Sequence, residues 1–376
     1  MTFLGRPEVS FEARFRRLDT PFLSGGRLSG RVTNIGADTV SGPLYSISRD
    51  QTTRPYFTSF VYPTLRWAIA AYRHELVFQD NSFLANGAFE QAIFAGTLIN
   101  EARDLPLSGR RRIKVENYGA AFAYRFNDRV AAGAGVAIYR LALNSDFVRL
   151  GFSGDVFGPV DPTQRGSTAT QRATAVRPAI NAGVIWSVHP AVRVGAVVRQ
   201  GAAFDFNQQD VIPLRPALSR DGQFRSPHVF GAGARVQPRD GLSFSFDVDR
   251  VAYGRLKKDF VNFQAISTGT ENQLQVRDGT EVHGGVEYVF IALPRTPAIR
   301  AGIWYDPDHA VRYLSDNSNG QVDVRLKAML PGGDDLVHYC FGFGIPLSQV
   351  LEVNAGADLT SKRRYVSGSL VVRLPR

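Results

Sequence analysis

The chain has 376 residues, of which 44% are hydrophobic and 21% charged, with a formal net charge of +10. Mean hydropathy is −0.13 and no run of about 18 apolar residues occurs, which excludes membrane-spanning helices but not spanning strands, where only alternate residues are apolar. The single Cys340 excludes an internal disulfide. The basic residues are spread over strand ends and loops, without aromatic interleaving, so nucleic acid is not expected as a partner.

The first predicted strand covers 8–18, with Val9, Phe11, Ala13 and Phe15 alternating against Glu8, Ser10, Glu12, Arg14 and Arg16. A Gly- and Ser-rich loop is expected over 19–53. Strands follow at 54–62 and 65–78, joined at Pro63-Thr64. In 79–109 the residues Phe83, Leu84, Phe89, Ile93 and Phe94 recur nearer to helical spacing, which predicts a short amphipathic helix on a long loop. Strand 111–126 places Tyr118, Ala120, Phe122, Tyr124 and Phe126 on one face, and Asn127-Asp128 turns it into 129–147. Strands 171–188 and 191–204 meet at His189-Pro190.

The pattern is plainest over 226–253. Leu242, Phe244, Phe246 and Val248 share one face; Ser243, Ser245, Asp247 and Asp249 share the other. Asp240-Gly241 forms the turn before them, because Gly accepts positive φ there. Further strands are read at 276–290, 298–305, 336–345, 350–359 and 364–374. The count is about fourteen, an even number, and short turns alternate with connections of roughly 20–35 residues. Many strands reach the ~9–11 residues that a tilted strand needs to cross a bilayer. These features predict an all-β chain, a single transmembrane antiparallel β-barrel over 1–376, with short periplasmic turns and long extracellular loops in a bacterial outer membrane. A soluble sandwich has no reason to sort its loops by length.

Parity assigns the polar face to the interior, with Glu352, Asn354, Asp358, Arg193, Arg199, Glu281 and Glu287 pointing inward and pairing as networks. Tyr62, Trp67, Tyr72, Tyr124, Phe126, Tyr139, Trp186, Phe290, Trp304, Tyr305 and Tyr339 are read as aromatic girdles at the two interfaces. Fourteen strands enclose a lumen too wide for wall side chains to fill, so a plug, inward loops or a ligand tunnel is needed.

The blocks 118–144 (YGAAFAYRFNDRVAAGAGVAIYRLALN), 227–253 (PHVFGAGARVQPRDGLSFSFDVDRVAY) and 281–308 (EVHGGVEYVFIALPRTPAIRAGIWYDPD) resemble the FadL-type outer-membrane transporters. The resemblance runs over most of the chain and is strongest from 111 to 308. It implies a monomeric barrel that takes up long-chain fatty acids or aromatic hydrocarbons, with a plugged lumen and a sideways exit through the wall. The chain opens directly at its first strand, so a signal peptide and the family's plug segment are expected to be missing from it. It also ends Leu374-Pro375-Arg376 instead of on an aromatic residue.

From these readings the expected function is passive uptake of hydrophobic small molecules. The alternatives are a general porin and an outer-membrane hydrolase. For the ligand, Phe83, Leu84, Phe89, Ile93 and Phe94 offer an apolar catching surface, and Arg199 a cation for a carboxylate head group. The alternatives for these are packing onto the barrel mouth and an ion pair with a lumen acid. Expected partners are the hydrophobic ligand, outer-membrane lipid and lipopolysaccharide. No catalytic residue is expected: the six histidines show no HExxH spacing and no GxSxG occurs. Asp306-Pro307-Asp308 and 315–320 invite a calcium reading, but aligning Gly320 on the loop glycine puts Leu326 where a Glu is required. No metal and no cofactor are therefore expected.

Overall fold

A computed structural model describes residues 5–104, 106–257, 273–314 and 320–375. In chain order the strands are β1 (Glu8–Gly26), β2 (Pro43–Pro63), β3 (Trp67–Ala85), β4 (Phe89–Phe94), β5 (Thr97–Arg103), β6 (Leu107–Arg125), β7 (Val130–Phe152), β8 (Val160–His189), β9 (Val192–Arg199) and β10 (Ala203–Val211). They continue as β11 (Leu218–Arg225), β12 (Val229–Arg239), β13 (Leu242–Val251), β14 (Leu274–Gln275), β15 (Gly279–Val289), β16 (Ala298–Asp306), β17 (Arg312–Tyr313), β18 (Leu336–Pro346), β19 (Leu351–Leu359) and β20 (Arg363–Arg373). One α-helix, α1 (Gly320–Met329), lies between β17 and β18.

The main sheet has sixteen strands, of which β10 and β11 form an appended hairpin. The other fourteen close on themselves. β1 pairs with β20 through Glu8↔Arg373 to Leu18↔Arg363, and β8 pairs with β9 through Asn181↔Arg199 to His189↔Val192. A closed sheet satisfies its backbone groups internally, which hydrocarbon demands. The chain is thus an all-β, fourteen-stranded antiparallel barrel.

Parity turns the apolar face outward. Phe244 is 47% and Phe246 54% exposed. Their neighbours Ser245, Asp247 and Asp249 line an interior hollow with Arg235 and His283. Inside, Glu287 accepts hydrogen bonds from Arg235 (3.2 Å) and Arg300 (2.7 Å), and Arg300 also reaches Asn354 (3.2 Å). Inward charges are paired in this way instead of being left alone. A closed barrel with a continuous apolar exterior is the outer-membrane architecture, and this chain has it.

Several expectations are corrected. Among the described residues of 79–109 there is no helix: β3 runs on to Ala85, and β4 and β5 form a hairpin through Ile93↔Leu98 and Phe94↔Thr97. Its apolar spacing is the sum of two strand periods interrupted by a turn. The 19–53 stretch is largely strand, because β1 extends to Gly26 and β2 begins at Pro43. Three residues assigned to the girdles face inward instead. Tyr139 is buried, the Tyr72 hydroxyl accepts a bond from Asn181 (3.1 Å), and Trp304 stacks on His338 at 3.6 Å. Of the segments considered for calcium, 315–319 lies outside the described residues. Asp308 is engaged by Arg312 at 2.8 Å and Asp306 by Arg363 at 3.0 Å.

Candidate functional site

The barrel is lopsided, and the asymmetry builds the site. β1, β2, β3, β6, β7 and β8 are 19–30 residues long, whereas β9 and β12 are 8 and 11. The long strands rise above the short ones on the side of the long loops. β9 ends at Arg199, and the chain then turns into the lumen at Gly201-Ala202. The β10–β11 hairpin returns along the inner wall, pairing Asn207–Val211 with residues 168–172 of β8. Its Phe204, Phe206 and Phe224 are buried against Ile113, Val115, Tyr139, Leu141 and Leu143, inward residues of β6 and β7. The strand expected over 191–204 breaks after Arg199, and the segment from Ala203 to Arg225 forms this hairpin.

Above this packing lies a cavity of about 270 Å³. Phe22 of β1, Phe83 of β3 and Phe147 of β7 form its apolar wall, with ring centroids 5.2 Å (Phe22–Phe83) and 6.1 Å (Phe83–Phe147) apart. Met329 and Leu330, at the end of α1, also line it. The polar lining is Thr20, Ser48, Gln79, Asn81, Ser167 and the guanidinium groups Arg111 and Arg149. Arg111 lies with its guanidinium carbon 5.2 Å from the Phe147 ring centre. An adjoining chamber of about 220 Å³ shares Phe22, Phe83, Leu107, Arg149 and Met329 and extends to Leu23, Asp104 and Arg325. An apolar wall with a few convergent polar groups is the usual constitution of a small-molecule site.

The wall beside this cavity is split. β2 pairs with β3 only from Phe57↔His74 to Pro63↔Ala68. Beyond that point β2 stays with β1 as far as Pro43, and β3 stays with β6 as far as Ala85, with a bulge between Glu75 and Val77. A bulge bends a strand away from its neighbour. Side chains bridge the two free edges. The Ser48 hydroxyl donates to the Ser82 carbonyl (2.8 Å), the Asp80 N–H to the Asp50 carboxylate (3.0 Å), and Arg54 to Glu75 (2.9 Å). Arg16 also binds Asp50. Phe78 is buried here, with the Arg54 guanidinium 4.1 Å from its ring centre.

The residues singled out in the sequence are scattered across these features. Phe83 is in the cavity wall. Leu84, next to it, faces outward and is exposed, as strand parity requires. Phe89 is buried in the loop layer, stacked on Phe157 at 5.8 Å. Ile93 is exposed near the tip of the β4–β5 hairpin, and the Phe94 side chain lies outside the described residues. Arg199 sits opposite Asn181 in the lower lumen and does not line the cavity. Arg111, Arg149, Phe22 and Phe147 were missed. Parity gives the side of the wall, but only the register across six strands gives the depth.

No family model and no curated protein matches the chain. Solved structures do. A FadL homologue of Pseudomonas aeruginosa superposes with a TM-score of 0.65 at 13% identity, over 99% of this chain and 91% of that one. The toluene transporter TbuX of Ralstonia pickettii gives 0.58 at 15% identity, over 100% and 91%. The toluene transporter TodX of P. putida gives 0.57 at 11% identity, over 99% and 91%. At such identities the likeness is one of fold, and it extends from end to end: this chain has the fold of the FadL-type outer-membrane transporters.

Proposed function

We propose that the chain is an outer-membrane channel for passive entry of hydrophobic small molecules. The ligand rests in the Phe22–Phe83–Phe147 cavity and leaves sideways through the β2–β3 split. The observation that carries this reading is the adjacency of the two, since Ser48, Gln79 and Asn81 border both. The superposed structures include toluene transporters, which agrees with an apolar ligand. The cations Arg111 and Arg149 favour an amphipathic ligand with a carboxylate, such as a long-chain fatty acid, because a guanidinium holds a carboxylate through paired charge-assisted bonds. The aromatic-filled lumen argues against a general porin. A single chain supplies the whole lining of the cavity, so a monomer suffices.

The test is uptake of a labelled long-chain fatty acid into vesicles carrying the reconstituted protein. Entry should be faster than in empty vesicles, and Phe83→Ala with Phe147→Ala should weaken fatty-acid binding by about tenfold or more, the loss of two apolar contacts. Arg149→Gln should weaken a fatty acid more than an uncharged hydrocarbon. Uptake indistinguishable from empty vesicles would refute the proposal.

A further inference from the structure

The outer face of β3, β6, β7 and β8 carries a charged array outside the Phe22–Phe83–Phe147 cavity. Antiparallel register sets outward residues in rows across these strands. Tyr118, Ile138 and Pro178 form one row, continuous with the apolar belt apart from Arg73 of β3, which pairs with Glu116 of the next row. The next row toward the long loops is Glu75, Glu116, Arg140 and Val176. Above it come Lys114, Ala142 and Thr174, and then Asp80, Arg112, Asn144 and Arg172. Charged side chains facing hydrocarbon are costly, and the cost fades toward the interface. The change from Ile138 to Arg140 therefore marks where lipid tails give way to headgroups.

The acids here are already held. Asp80 pairs with Arg110 (3.0 Å) and Arg112 (3.1 Å), Glu116 with Arg73 (2.6 Å) and Lys114 (2.9 Å), and Asp146 with Arg172 (2.6 Å). Cations remain in excess, and Arg140 makes no ion pair among the described residues. Arg112 and Arg172 keep about half of their side-chain surface open, at 55% and 49%. Together with Lys114 they line a hollow of about 680 Å³ over Ala142, Asn144 and Thr174, closed toward the β2–β3 split by Phe78 and Arg54. Alternate residues on a strand lie ~7 Å apart and neighbouring strands ~4.8 Å, so the three cations span roughly 10 Å. The loop-side ends of β16 and β18, elsewhere on the wall, show Tyr305, Val337 and Tyr339 outward instead.

We propose that this hollow binds the phosphate-bearing headgroup of an outer-leaflet glycolipid, with Arg112, Lys114 and Arg172 as the phosphate ligands. Basic pockets at headgroup level recognise anionic lipid in this way, and guanidinium–phosphate bonds are charge-assisted. The proposal rests on the placement of the barrel in an outer membrane, and not on which ligand it transports.

The experiment compares three probes on the purified full chain in detergent: a phosphorylated lipid A-type glycolipid, the same lipid after dephosphorylation, and inorganic phosphate. The wild type should prefer the phosphorylated lipid by about tenfold or more, as charge-assisted bonds to phosphate imply. Arg112→Gln, Lys114→Gln and Arg172→Gln together should abolish that preference, whereas Arg112→Lys with Arg172→Lys should keep most of it. Fatty-acid uptake should be unchanged in the triple glutamine variant. Equal binding of the two lipids by the wild type overturns the proposal, and this arm stands even if the variant does not fold. So does an undiminished preference in the folded variant, or displacement of the lipid by millimolar inorganic phosphate. Failed uptake in every protein, with the lipid preference intact, counts against the transport reading alone.

Discussion

Single residues in the wall act through what faces them. Gly119 on β6 lies under the Tyr72 ring, where an added Cβ would come within 2.3 Å of the ring carbon bearing the hydroxyl. Gly119→Val should therefore push Tyr72 off Asn181 and destabilise the barrel by about 1–3 kcal/mol, the usual cost of overpacking. Urea unfolding in lipid vesicles measures it, and an unchanged midpoint would show that Tyr72 repacks freely. At the loop-side mouth, burial alone would depress the His309 imidazole, but its bonds to Asp306 and the Pro307 carbonyl outweigh burial and raise its pKa above the ordinary value. The same ring stacks on Tyr253 at 4.0 Å. Its stabilising contribution is complete below the unfolded-state pKa of about 6.5 and is lost as pH rises through the higher folded value. Protection of the 306–313 amides, taken relative to the intrinsic rise of exchange with pH, should accordingly fall above neutral pH, and His309→Gln should remove that fall.

At the scale of elements, two features govern passage: the inward β10–β11 hairpin and the split between β2 and β3. Removing residues 203–225 behind a short glycine linker should open the lumen and raise steady ion conductance in planar bilayers. Conductance equal to that of the intact chain would mean that the hairpin does not seal the barrel. Ser48→Cys with Ser82→Cys, joined by a short bifunctional thiol reagent in a Cys340→Ser background, should close the split and slow fatty-acid entry several-fold. Entry at the uncrosslinked rate would place the exit elsewhere. Neither element was legible in the sequence. Alternation over 242–249 gave the strand and both of its faces, because a period of two survives in any lipid-facing strand. By contrast, the β2–β3 split depends on which backbone groups go unpaired, and nothing in the alternation of either strand records that. The spacing of Phe83, Phe89 and Ile93 imitated a helix because a strand end and a hairpin were read as one segment.

For the whole molecule, the barrel was legible and the ligand cavity was not. Strand number, short turns at one end and outward aromatics all follow from local pattern and loop length. The cavity is assembled from β1, β2, β3, β6, β7, β8 and α1, whose relation is set by closure of the ring. Arg199 illustrates the limit: its inward direction followed from parity, but its depth below the cavity did not. The mixed charges of the lumen follow from register instead, since Glu287 lies opposite Arg300 on the neighbouring strand, and Arg235 and Asn354 reach them from two strands away on either side.

The most direct measurement of this arrangement is site-directed spin labelling along β13 in lipid vesicles, one position at a time from 243 to 249, in a Cys340→Ser background. Labels at 244, 246 and 248 should be relaxed by oxygen dissolved in the bilayer, and labels at 243, 245, 247 and 249 by a water-soluble nickel complex or by neither reagent. Oxygen relaxation at Asp247 and aqueous relaxation at Phe246, or no alternation along the strand, would contradict a barrel whose apolar face is solvated by lipid.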